Sequence, residues 1–390
     1  MYNVVVIGQG LTGMLSAIWA KEEGASVALV SQGTGKIIQS TGVMDIFPGS
    51  DAGMSELIRE YQIKDWNPLL VESGIDRFKE LMSRLGNPYQ GKIEQPVEIV
   101  TGSGFLKSTA LYPITVAPIP HRGHVVVVGF QEITDFQHTY VAENLASERS
   151  ELTIDHFSIS LGQRSLRTMT QLDAARLLEQ EVVRKQVISK IKAKMKELLI
   201  RKPDLIILPS VLGVMNWKTV WSDFKTELDT IITEAVGMPP NATAIRLQEQ
   251  LQKEMIRLGV RQYANSKVVD SHRVNQWIES VMARNTHNTI EVKGKSFVLA
   301  TGGILGGGLE QLLSGVTETA LGLEVDEQGN LVNPYKNLFL VGAAQGIGVT
   351  KYGITGGIFS ILSSYESVIK NSYRLQVGGE QHDKLTRNQL

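Results

Sequence analysis

The residues best suited to chemistry lie at the start of the chain, where Gly8-Gln9-Gly10-Leu11-Thr12-Gly13 forms a GxGxxG motif. Val4 to Ile7 before it is a short apolar run and reads as a buried parallel strand. Leu11, Met14, Leu15, Ile18 and Trp19 after it recur at helical spacing, and Gly24 ends that helix. Ser26 to Val30 supplies a second strand, so the motif sits inside a β-α-β unit. In that context Gly8 permits the tight turn, Gly10 admits a pyrophosphate to the backbone, and Gly13 lets helix and strand pack closely. The helix N-terminus then presents free N–H groups and a favourable dipole to the phosphates. The same six residues without a ligand would be an ordinary glycine-rich turn, and the strand–turn–helix context favours the nucleotide.

Two later segments repeat this logic. Phe297-Val298-Leu299 runs into Ala300-Thr301-Gly302-Gly303, a strand ending in small residues that let a ligand approach backbone. Asn337 to Gly342 is a strand ending in glycine, followed by Gly346, Gly348, Gly353, Thr355, Gly356 and Gly357. Ile358, Ile361, Leu362, Tyr365, Val368 and Ile369 then give a helix one apolar face. One expected group is missing. Dinucleotide folds usually end the second strand with a carboxylate for the ribose, whereas this chain has Ser31, then Gln32 and Gly33. Either the AMP half is held loosely or the cofactor is a mononucleotide.

The elements that position these residues divide the chain. The 51–94 stretch reads as helical, with breaks at Pro68 and at Gly86-Asn87-Pro88. Strands are expected at 125–128, 154–159 and 205–208, with one long helix from Ala174 to Leu199, closing at Pro239-Pro240. A helix from Ala244 to Leu258 and strands at 267–270, 289–291 and 296–299 return to the first pattern. The expected fold is α/β, a Rossmann-type nucleotide-binding fold with an inserted smaller α/β domain. Residues 1–94 and 241–390 form the discontinuous nucleotide-binding domain, and 95–240 the inserted cap.

Composition narrows the classes further. The chain has 390 residues, 42% hydrophobic and 20% charged, with net charge −1, so no global field attracts nucleic acid. Cysteine is absent, which excludes disulfides, a cysteine nucleophile, thiolate zinc sites and any iron–sulfur cluster held by cysteines of this chain. No metal-ligand spacing occurs. The apolar N-terminus lacks a basic region and is broken by glycines, so it is not read as a targeting segment, and no run is long enough to span a bilayer.

In combination, GxGxxG, a distant ATGG and NLF-x-VG before a GG-capped helix resemble flavoproteins of the fumarate reductase and succinate dehydrogenase type. The nearer resemblance is to the B-type subunits of anaerobic glycerol-3-phosphate dehydrogenase. It is carried by residues 39–45, 104–109, 126–129 with Asp135-Phe136, 244–248, 299–303 with 307–309, and 321–325, in the same order. Ser31 in place of an acidic residue is similar to that family, which has a small hydroxyl residue there, and the chain is shorter than its pattern between about 320 and 337. The β-α-β unit, built for a pyrophosphate, favours FAD, and the resemblance keeps FMN as the alternative. The resemblance implies flavin contacts at Gly8, Gly10, Leu11, Thr12, Gly13, Ser31, Gln32, Ser40, Thr41, Gly42, Val268, Val269, Ala300, Thr301, Gly302, Gly342, Gly353, Thr355, Gly356 and Gly357. It also implies oxidation of glycerol 3-phosphate to dihydroxyacetone phosphate, with electrons passed to quinone. A second flavoprotein subunit and an iron–sulfur membrane-anchor subunit are the expected partners. The chain's place would be cytoplasmic, peripheral on the inner face of the membrane through those partners.

Oxidising a phosphorylated alcohol needs a base for the hydroxyl proton and cations for the phosphate. His121 and Arg122 are candidates, though their place just before a strand favours a solvated loop. Arg246 could face the domain cleft from its helix, and Lys107 and Lys351 stand in Gly/Thr-rich loops near the expected flavin. The basic run from Arg184 to Lys202 reads as a solvated helix face, with an anionic membrane or a partner subunit as the alternative.

Overall fold

The computed structural model describes residues 1–46, 67–162, 168–237, 239–313, 315–326, 329–345 and 356–370. Strand β1 (Tyr2–Ile7), helix α1 (Leu11–Glu22) and strand β2 (Val27–Val30) form the parallel unit that the sequence pattern demands. β1 is central: it pairs in parallel with β2 on one side and with Gly294–Leu299 on the other. Arg261–Tyr263 extends the sheet beyond β2, and Leu338–Leu340 extends it beyond Phe297–Leu299. Alternation along β1 sends Val4 and Val6 to one core and Val5 and Ile7 to another, so both faces are covered. The first core holds α1, the Pro68–Arg84 helix and the helix across 356–370, with Trp19 and Phe78 fully enclosed.

Thr289–Leu299 is one continuous strand, not the two expected. Its first half pairs antiparallel with Trp277–Arg284, and its second half enters the parallel sheet. Gly294 stands where the halves change partners; a side chain there would press on Val5 at 2.6 Å. A three-stranded meander, Lys267–Val274, Trp277–Arg284 and Thr289–Leu299, therefore grows out of the first sheet.

A second sheet is wholly parallel, in the order Ile231–Ala235, Leu205–Pro209, Gly123–Phe130, Leu152–Ile159. Val125 to Val128 and Leu205 to Leu208 are fully buried, as strands covered on both faces must be. The expected long helix from Ala174 to Leu199 is two helices, Gln171–Leu177 and Glu181–Glu197. Two interactions account for the break. Arg184 Nη1 donates to the Leu178 and Glu179 carbonyls, and Glu179 Oε1 accepts from the backbone N–H groups of Val214, Met215 and Asn216. The His138–Glu148 and Trp217–Leu228 helices complete the layers over this sheet.

Of the expected 51–94 helical stretch, Pro68–Arg84 is a helix, while 47–66 lies outside the described residues. Five members of the basic run are paired with acidic side chains nearby. Arg184 pairs with Asp223, Lys185 with Glu181, Lys192 with Glu227, Lys194 with Glu197 and Lys202 with Asp229. No helix among the described residues is long and apolar enough to cross a membrane.

Candidate flavin site

The glycine turn rests on the ATGG turn. Gly8 N–H donates to Val30 O and Ala300 N–H to Ile7 O, both at 2.8 Å. A Cβ on Gly8, whose φ is +111°, would strike the Ala300 carbonyl, and one on Gly13 would strike the Gly8 carbonyl. Only glycine permits this stacking of strand, turn and helix. Gly10 is different. A Cβ built there meets no atom of the described residues within 4 Å, so among them the turn opens onto free space. Gly10 is also the N-cap of α1, and no side chain caps that helix. An uncapped helix N-terminus below open space is what a pyrophosphate requires. The residues therefore fit a dinucleotide, and Gly10, Leu11 and Thr12 would hold it.

The C-terminal part of the chain closes against this turn. Val341 N–H donates to Leu299 O, and Gly342 approaches Thr12 so closely that a side chain would overlap its hydroxyl. Gly342 N–H donates to Ser363 Oγ, and Ser364 Oγ donates to Thr12 O, both at 3.0 Å. Small residues thus bring the helix across 356–370 directly onto α1.

Residues 35–46 form a strip leading away from the helix N-terminus. Gly35 lies against Gln9 O and Gly10 Cα. Asn241 Nδ2 donates to Ser40 O at 2.6 Å, Thr243 Oγ1 to Thr41 O at 2.7 Å, and Tyr89 to Gly42 O at 2.5 Å. Asn241 also caps the Ala242–Arg257 helix by accepting from Ala244 N–H. The strip is therefore clamped on the helix that follows Pro239-Pro240. At its far end Asp45 Oδ2 lies 2.7 Å from Lys107 Nζ, which also donates to Thr41 Oγ1 at 3.4 Å. Burial pushes the Asp45 carboxyl above its usual range, while Lys107 and Thr109 pull it back. Asp45 Oδ1 is buried without a hydrogen-bond partner among the described residues.

The other expected site residues are distributed as follows. Ser31 is buried at the end of β2, and its hydroxyl is turned to Gln9; Gln32 is exposed. Val268 is in the core, Val269 is the extra residue of a bulge in the Lys267–Val274 strand, and the Ser31 carbonyl accepts from Ser266 N–H just before that strand. Thr301 and Gly302 line the turn above Gly8, half-buried. Gly356 packs on the Asp45 and Ile46 carbonyls and Gly357 on Met44, while Ile358 N–H donates to Asp45 O at 3.0 Å. These two glycines hold the last helix to the strip, so their absent side chains are filled by protein rather than facing open space. Lys351, Gly353 and Thr355 lie outside the described residues.

Three of the expected catalytic candidates do not join this set. Arg246 is 2% exposed and spends its donors on Glu234, Thr115 and the Gly213 carbonyl. It cannot cradle a substrate phosphate without abandoning a buried carboxylate. His121 and Arg122 are exposed at the entry to Gly123–Phe130, and no hydrogen bond or ion pair ties them to the strip among the described residues. Sequence reasoning missed Gln9 as an anchor, Asn241 and Thr243 as clamps, and Asp45 as the partner of Lys107. Asn241 carried a usable signal, an Asn directly before an apolar-periodic helix.

The FAD binding domain family matches residues 3–358. The B-type subunit of the anaerobic glycerol-3-phosphate dehydrogenase of Aliivibrio fischeri (strain MJ11) is 23% identical over 374 residues, covering 87% of this chain and 81% of that protein. The corresponding subunit from Actinobacillus pleuropneumoniae serotype 5b (strain L20) is 24% identical over 351 residues, covering 83% of this chain and 80% of its own length. Among solved structures, the 3-ketosteroid delta1-dehydrogenase of Sterolibacterium denitrificans is 15% identical with a TM-score of 0.34, covering 77% of this chain and 48% of that one. The family match indicates FAD as the cofactor. The chain belongs to the FAD binding domain family and is a flavin-dependent oxidoreductase.

Proposed function

We propose that this chain is the B-type flavoprotein subunit of a dehydrogenase that oxidises glycerol 3-phosphate to dihydroxyacetone phosphate and passes electrons towards quinone. The carrying observation is the meeting of the GxGxxG turn, the ATGG turn and the C-terminal strand on one uncapped helix, in a chain similar to the B-type subunits over most of its length. Bound FAD supplies the two-electron acceptor. Residues 1–94 and 241–390 hold it, and 95–240 serve as the cap over it. Gly10, Leu11 and Thr12 receive the pyrophosphate, and Ser40 to Gly42 flank the ring end. Lys107 sets a positive charge there, held in place by Asp45. A second flavoprotein subunit and an iron–sulfur membrane-anchor subunit complete the assembly and hold it at the inner face of the membrane.

One observation favours a second reading, a flavin-bearing relay partner that leaves substrate oxidation to another subunit. Asp45 is closed from solvent, and the described histidines lie elsewhere, His124 paired with Asp155, His138 with His156 and His272 with Glu279. The experiment is glycerol 3-phosphate-dependent reduction of a quinone-analogue dye, by the purified chain alone and then by the reconstituted subunits. Turnover by the chain alone supports direct oxidation. Turnover only after reconstitution, with this chain's flavin reduced through a partner, supports the relay. No turnover in either form defeats the proposed substrate.

A further inference from the structure

We propose that Gln9, anchored by Ser31, is the residue that reads the adenosine ribose of the cofactor. This rests on the FAD site described above. Dinucleotide folds place a carboxylate at the end of the second strand, where it accepts from the ribose hydroxyls. Here that position belongs to Ser31, which is 3% exposed and engaged at every polar atom. Its N–H donates to Tyr263 O at 3.1 Å, its carbonyl accepts from Ser266 N–H at 2.8 Å, and its hydroxyl donates to Gln9 Oε1 at 2.8 Å. The serine is thus turned inward, too short and too occupied to reach a ligand.

Gln9 stands between Gly8 and Gly10 in the glycine turn itself. Its carbonyl oxygen is taken by Ser31, and its Nε2 group has no hydrogen-bond partner among the described residues, yet is not sealed in the core. The space beside it is open among the described residues, since Cβ atoms built on Gly10 and Gly33 meet none of their atoms within 4 Å. An amide fixed at one end and free at the other offers two N–H donors to hydroxyl oxygens. Ser31 matters because it fixes the rotamer; an untethered glutamine would lose side-chain freedom on binding. A neutral amide also holds a ribose less tightly than a carboxylate does.

The test uses the apoprotein, with FAD uptake followed by flavin fluorescence and ADP as a competitor that carries the ribose but no ring. Gln9→Ala is expected to weaken FAD and ADP by the same factor, about three- to tenfold, the worth of one net hydrogen bond. Ser31→Ala is expected to act in the same direction and less strongly. Gln9→Asn, too short to keep the Ser31 bond, is expected to behave like the alanine variant. Unchanged ADP affinity in Gln9→Ala overturns the proposal, whether or not FAD is weakened. A wild-type apoprotein that takes up no FAD at all defeats instead the reading on which it rests. Thermal unfolding of each apoprotein separates lost binding from lost fold.

Discussion

Lys107 and Asp45 form an ion pair at 2.7 Å that joins the Leu106–Thr109 strand to the strip beside the flavin site, with the carboxylate the more buried partner. Two segments far apart in sequence are thus held at one point by opposite charge. Asp45 also receives Ile358 N–H on its carbonyl, so the start of the last helix is tied to the same residue.

This arrangement predicts a pH signature. Burial raises the folded-state pKa of Asp45 above its ordinary value. The folded protein therefore holds that proton more tightly than the unfolded chain, and stability falls as pH rises from the ordinary carboxylate range through the raised value. Asp45→Asn should remove this slope and leave the apoprotein at least as stable as wild type at pH 8. Lys107→Met should do the opposite, costing roughly 2–3 kcal/mol at pH 8 by leaving a buried charge unpaired. That deficit should shrink towards pH 4, as protonation neutralises Asp45. Urea unfolding of the three proteins across pH measures both, and a Lys107→Met deficit independent of pH would contradict this coupling.

A second prediction concerns the join between the two sheets. Arg246 and Glu234 are both almost fully enclosed and share two hydrogen bonds, at 2.8 and 2.9 Å. Glu234 Oε1 also accepts from Leu212 N–H at 2.9 Å. Arg246→Met should cost about 3–5 kcal/mol, because it strands a buried carboxylate. The Arg246→Met, Glu234→Gln double variant should recover part of that loss. A double-mutant cycle by urea unfolding reads the coupling, and additive single effects would mean the pair is not interacting.

The glycines should separate into two kinds. Gly10→Asp has room for its side chain but places a negative charge in the pyrophosphate position, so the protein should fold and lose FAD. Gly13→Ala and Gly356→Val meet backbone carbonyls, of Gly8 and of Asp45 and Ile46, and should lower the unfolding temperature of the apoprotein itself. Calorimetry of the apoproteins, with flavin content measured beside it, distinguishes the two. A Gly10→Asp protein that retains FAD would remove the pyrophosphate from this turn.

Much of the α/β pattern was legible because the buried strands and α1 announce themselves by unbroken apolar runs and by helical period. Val125 to Val128 and Leu205 to Leu208 are examples. The strand across 289–299 read as two, because its first half alternates and its second half is buried on both faces, which are two periodicities in one element. The break near Leu178 was invisible because Arg184 and Glu179 create it through partners distant in sequence. The same holds at the site. GxGxxG is local chemistry and could be read directly, whereas the roles of Gln9, Thr243 and Asp45 depend on residues that only folding brings beside them. Arg246 misled for a related reason, since an arginine's type does not tell whether its partner is a ligand or a buried glutamate.

The most direct test of the flavin site is the flavin itself, released by heat from the purified chain and identified by mass. The expected result is a yellow protein that releases FAD, close to one per chain, and an apoprotein that takes FAD up again. FMN alone would contradict the dinucleotide cradle at Gly8 to Gly13. A colourless protein that takes up neither flavin would contradict the central claim.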